Sequence, residues 1–204
     1  MYKYLDEQLK KVVREIYRLF QEYRAMPFDE LNVVSNVQEL YRKLEEVNRQ
    51  MFQQIADHYY DSEPHGDEVL VDWWLSDVLS TPSRVMKYSY DSEIVRKRDR
   101  LMEALLATGG SPAEFDTAMR YWTQMTGWFA VEVADAALAQ AREDDGIEFV
   151  MWVSEHDLKT CDYCDSLDGN VYPADAVPPK PHPNCRCYTC LLYTSPSPRD
   201  RSLS

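Results

Sequence analysis

Apolar side chains recur every three to four residues along most of the chain and then give way abruptly to a short β-type run. Leu5, Leu9, Val12, Val13, Ile16, Leu19, Phe20 and Tyr23 share one face of a helix over residues 2–24, and Pro27 closes it. A second helix is predicted from Ser35, where Ser35 and Gln38 have the spacing of a capping box. Its stripe is Leu40, Leu44, Val47, Met51, Ile55 and Tyr59, and Asp61-Ser-Glu-Pro64 breaks it. A shorter helix near Asp67 to Leu79 carries Trp73 and Trp74 and stops before Pro82. A fourth, from Ser92 to Ala107, ends at Gly109-Gly110. Ser111-Pro112-Ala-Glu114 then combines a cap, a first-turn proline and an acidic third position. The helix it opens reaches about Arg142, roughly 46 Å at 1.5 Å per residue. Its core stripe is Phe115, Met119, Trp122, Phe129, Val133 and Ala137.

From Ile147 to Val153 the run is β-type, and polar turns and prolines at 173, 178, 179, 181 and 183 follow. The expected fold is mainly α: a helical body with a long helix, followed by a small α+β Cys/His-rich C-terminal module. We divide the chain into an N-terminal helical region (1–90) and a second region (91–189) that holds the module at 147–189. No internal repeat is visible.

Composition changes again at Cys190. The eleven residues Cys190 to Asp200 resemble the translation of a transposase-type sequencing adapter, and 190–204 is expected to be foreign to the native chain. Cys190 is therefore left out of the cysteine arithmetic, and the native chain is expected to continue past Thr189.

Charge narrows the function classes. The net charge is −13, from 22 basic and 35 acidic residues, the opposite of what phosphate neutralisation asks for. The basic cluster Arg96-Lys-Arg-Asp-Arg100 follows Asp91 and Glu93 and reads as a solvated helix face. No apolar run approaches the roughly 18–20 residues of a membrane span, and the N-terminus lacks a secretory pattern. Folding in the cytoplasm is expected.

The candidate chemistry lies in the module. Cys161-Asp-Tyr-Cys164 and His182-Pro-Asn-Cys185-Arg-Cys187 are separated by the Asp168-Gly169 turn. Cys-x-x-Cys puts two thiolates on one turn, within reach of one tetrahedral ion, and His-x-x-Cys-x-Cys supplies three more donors. A structural zinc on Cys161, Cys164, Cys185 and either Cys187 or His182 suits a module too small for a large core. Disulfides formed in an extracellular particle and reduced buried thiols are the other readings. Arg186 has two readings, paired with Asp157 or Asp165, or facing solvent.

Catalytic patterns fail in turn. A deaminase needs His/Cys-x-Glu ahead of Pro-Cys-x-x-Cys, whereas Thr160 precedes Cys161 and no such upstream element exists. His-Glu-x-x-His, Gly-x-Ser-x-Gly and phosphate-binding glycine loops are absent from the sequence. His156-Asp157 fits a surface turn better than an acid/base pair. The protein is expected not to be an enzyme.

The string Trp152-x4-Asp157-x3-Cys161-x2-Cys164-x3-Asp168-Gly169, then Pro178-Pro179-x-Pro181-His182-x2-Cys185-Arg186-Cys187, resembles the signature of the phage Mu F-like minor head protein family. The likeness covers about residues 92–187. It implies a structural head-morphogenesis protein of a tailed phage or prophage. Such a protein assembles with portal and capsid proteins as a homo- or hetero-oligomer, at the portal vertex or head interior of the virion, after passing through the host cytoplasm. An incidental DNA contact belongs to the same expectation. Other relatives carry this domain on a C-terminal toxin, so the alternative is a toxin carrier or a metal-dependent nuclease cut short at its C-terminus.

Overall fold

The computed structural model describes residues 2–61, 71–156, 160–183 and 185–192, with residues 71–73 described in backbone only. Five helices build the body: α1 (Lys3–Arg24), α2 (Val33–Tyr60), α3 (Val71–Ser80), α4 (Tyr90–Thr108) and α5 (Pro112–Asp144). The chain is mainly α, as the periodicity predicts. The start of α2 departs from expectation. The helix begins at Val33, so Ser35 lies inside its first turn, and its hydroxyl donates to the Asn32 carbonyl at 2.9 Å instead of capping. The entry is organised by Asp29, which accepts from the Leu31 N–H and the Asn32 side chain. The expected start of the third helix, Asp67 to Leu70, and the Trp73 side chain lie outside what is described.

The helix stop of α4 falls where the sequence places it, whereas Ser111, expected to cap α5, holds the N-cap position without a side-chain cap hydrogen bond, and the cap of α4 is a serine that the pattern does not mark. Ser89 Oγ accepts from the Ser92 N–H at 3.2 Å and starts α4. Gly109, at φ +64°, adopts the left-handed conformation that ends it. At 33 residues, α5 is about 50 Å long and forms the spine against which α1, α2 and α4 pack.

One apolar core runs through all five helices, with side chains from both sides of residue 90. Its centre is aromatic. Trp122 meets the Tyr41 ring edge-on at 5.2 Å, and Tyr90 sits between Phe52 at 5.1 Å and Phe129 at 5.4 Å. Each such side chain, buried fully, contributes on the order of 1.5–3 kcal/mol. One polar pair is sealed inside: Asn48 Nδ2 donates to Thr126 Oγ1 at 2.8 Å, and that hydroxyl donates back to the Trp122 carbonyl at 2.9 Å.

After a turn at Gly146 (φ +66°) the chain enters a three-stranded antiparallel sheet. The order is β2 (Val171–Pro173), β1 (Phe149–Val153), β3 (Tyr188–Leu191), and α6 (Asp162–Leu167) lies between β1 and β2 in sequence. Trp152 pairs with Thr189, and Met151 with Cys190. The first residues of the adapter-like run thus serve as strand backbone, a role that does not depend on side-chain identity. Val150 and Trp152 alternate inward along β1. The module has its own small core: Trp152, Cys164, Cys185 and Cys187, flanked by Cys161, Leu167, Tyr172 and Val177. Buried Arg142, near the end of α5, joins the two regions by donating to the Thr189 carbonyl at 2.7 Å and to its hydroxyl.

Candidate metal centre

The short elements of the module bring both cysteine groups to one place. Cys161 is the N-cap residue of α6, and its Sγ accepts from the Cys164 N–H at 3.5 Å. The helix turn therefore carries Cys164 inward, where it is 1% exposed. Gly169, at φ +74°, permits the reversal into β2, and its N–H donates to the Trp152 carbonyl at 2.9 Å. The proline-bearing segment then returns His182, Cys185 and Cys187 to the same face before β3 begins. Cys185 and Cys187 are 1% and 2% exposed.

All five predicted donors meet, in two overlapping sets. Cys161, Cys164 and His182 form one and Cys164, Cys185 and Cys187 the other, with the donor atoms of each set within 4.8 Å of one another. Cys164 belongs to both, and its Sγ lies 3.4 Å from that of Cys185. Tetrahedral zinc with sulfur at about 2.3 Å spaces its ligands about 3.8 Å apart, a value these separations bracket. The donor chemistry fits as well, since clustered soft thiolates with one imidazole suit zinc. A bound ion would have five candidate donors for four positions. None of the five cysteines, Cys190 included, is in a disulfide.

The electrostatics also favour a cation. Hydrogen bonds from the Cys164 backbone and thiol, with His182 beside them, lower the Cys161 thiol to about 7. Burial, with the neighbouring thiols crowding it, pushes Cys164 well up, and burial raises Cys185. Such a cluster is costly to ionise unless a positive ion is at its centre.

Several residues that hold this centre carry no sequence signal. Ser154 Oγ donates to the Cys164 carbonyl at 2.7 Å and lies 3.6 Å from Cys187 Sγ, while its N–H donates to Asp168 Oδ1 at 2.7 Å. On the other side, Lys180 Nζ reaches Tyr2 Oη at 2.6 Å, Asp135 at 2.7 Å and the Cys185 carbonyl at 3.2 Å. Tyr2 Oη donates to Asp135 Oδ1 at 2.7 Å and lies 3.4 Å from the Cys187 carbonyl. Burial and Asp135 hold the Tyr2 phenol well above its ordinary range, so it keeps its proton. Arg186 corrects an expectation: it pairs with Asp6 on α1 at 2.5 Å, not with Asp165, because the strand entry turns it toward the body. Asp157 lies outside the described residues.

His156 is exposed, at φ +52°, and sits 3.2 Å from both Asp165 and Asp168. That is a polar surface turn. In the basic cluster on α4, Arg96 and Lys97 both engage Glu93, and Arg98 engages Asp99, which uses up much of the positive charge locally. Among the described residues no helix is long and apolar enough to cross a membrane. No family model, curated protein or solved structure matches the chain.

Proposed function

We propose that this chain is a structural, non-catalytic head-assembly protein of a tailed phage or prophage, of the Mu F-like minor head type, whose cysteine module is stapled by one zinc ion. The observation that carries the reading is the module's core, in which three of the four buried side chains are cysteines and the fourth is Trp152. These are the residues of the motif string that resembles the family. A core of that composition is built to be closed by a metal, and its donors leave no position for a substrate if four of them bind. Cys164 is the hub of either ligand choice. An open cleft of about 500 Å³ lies between body and module, lined by residues including Val85, Glu132, Leu138, Val177, Pro178 and Tyr188. It offers a place for contact with portal or capsid subunits. The acidic charge of −13 keeps such a protein from adhering to packaged DNA.

Two measurements test the proposal. Elemental mass spectrometry of the folded, reduced protein is expected to find about one zinc per chain, and a metal-free folded module would remove the staple. Immunogold labelling of particles from the phage or prophage that encodes the chain is expected to mark a single vertex or the head interior. Abundance in the lysate with absence from particles would overturn the head-assembly role.

A further inference from the structure

The three residues Cys185, Arg186 and Cys187 are each gripped by a network that ties them to the helical body. Lys180 donates to the Cys185 carbonyl, Asp6 on α1 binds the Arg186 guanidinium at 2.5 Å, and Tyr2 Oη stands at the Cys187 carbonyl. The grip is stoichiometrically closed. An ammonium has three donors, and those of Lys180 go to Tyr2 Oη, Asp135 and Cys185 O. The single Tyr2 proton goes to Asp135, with the Cys187 carbonyl as its longer arm. The Tyr2 ring also stacks under both cations, with Lys180 Nζ 4.8 Å and the Arg186 guanidinium 5.4 Å from its centroid. The partners come from opposite ends of the chain: Tyr2 precedes α1, Asp135 is on α5, and Lys180 follows the proline pair.

We propose that Tyr2, Asp135 and Lys180 are positioning residues for the metal, a clasp that sets the Cys185–Cys187 backbone so that both thiols face Cys164. This rests on the zinc reading above. Ligand-bearing loops gain affinity when groups behind the ligands hold them in place. Here two of the groups behind, Tyr2 and Asp135, belong to the helical body, and Lys180 joins them to the module. Metal binding and docking of the module on the body are therefore linked, and linkage is reciprocal: whatever factor the clasp adds to metal affinity, the metal adds to the clasp. The N-terminus of the chain becomes a reporter of whether the module is loaded.

The test uses the full chain, with zinc affinity read by competition against a chromogenic chelator. Tyr2→Phe removes one oxygen and Lys180→Met one charge, and neither replaces a candidate ligand. Each is expected to weaken zinc binding about tenfold or more and to shrink the rise in melting temperature that zinc produces. Hydrogen exchange is expected to show the amides that follow Tyr2 in α1 slowed by zinc in the wild type and no longer so in Lys180→Met. Wild-type affinity in both variants would overturn the clasp. Equal destabilisation of the zinc-free and zinc-loaded forms would also overturn it, because a merely structural contact behaves that way. A wild-type chain that binds no zinc would instead overturn the staple itself.

Discussion

The helical body and the cysteine module solve the same problem with different means. In the body, α1 to α5 pool Leu, Ile, Val, Phe, Tyr and Trp side chains into one continuous core, and every helix lends a face to it. In the module, three short strands and a six-residue helix enclose Trp152 and three cysteines. Burial of apolar area scales with the number of side chains that can be enclosed, so the body can be stable on packing alone. The module has too few to offset the entropy of ordering its loops. On the proposed reading the cysteines compensate, because a metal bond would replace many small contacts by a few strong ones. The clustered donors thus lie in the region with the smaller core.

The largest expected effect comes from breaking the module alone. Cys164→Ser removes the donor common to both sets and is expected to abolish zinc binding. Zinc binding in small structural sites supplies apparent free energies on the order of 10–16 kcal/mol, far beyond what the module's apolar contacts can replace. Amide protection in β1 and β3 should vanish while the far-ultraviolet signal of α1–α5 persists. A chelator added to the wild type should do the same. Collapse of both regions together would mean that the body depends on the module.

Breaking the body gives the next effects. Trp122→Ala opens a cavity beneath Tyr41 and Tyr90 and is expected to cost about 3–5 kcal/mol by chemical denaturation, with zinc and without it. Thr126→Val leaves Asn48 Nδ2 without its acceptor and is expected to cost about 1–3 kcal/mol. Neither should change metal content. A loss of zinc in either variant would show that the two regions are coupled more tightly than through the Tyr2–Lys180 contacts.

The same contrast explains what was legible in the sequence. Helix positions follow from local spacing of apolar residues, and α1, α4 and α5 fall within a few residues of expectation, with Gly109 ending α4 on its own turn. The capping box at Ser35 failed because Asp29 organised the entry first. The five candidate donors that the fold gathers are legible, since the chemistry is carried by rare residue types at short spacing. Their supports are not. Tyr2 lies outside the apolar stripe of the first helix, and nothing marks it as a partner of Lys180, 178 positions away. Arg186 was read against nearby aspartates, whereas its partner, Asp6, is brought to it only by the fold.

The seam between the two regions offers the smallest and sharpest prediction. Glu132 faces the cleft from α5, and its carboxylate accepts from Ser83 Oγ at 2.9 Å, while the nearby Lys180 is committed to Asp135. Burial, with Asp135 adding to it, raises the Glu132 carboxyl above its ordinary range. A carboxyl raised on folding contributes stability while protonated, and that contribution is lost as the pH climbs through its folded value. At neutral pH the ionised group therefore weighs against the folded state, and below about pH 4, where the unfolded chain is protonated too, it does not. Glu132→Gln keeps an acceptor for Ser83 and removes the charge. It is expected to raise the melting temperature slightly at pH 7, with the gain shrinking toward zero as the pH falls to 4. The opposite slope would mean that Glu132 has a cation partner in solution, and the cleft would then be a charged contact between body and module instead of an open one.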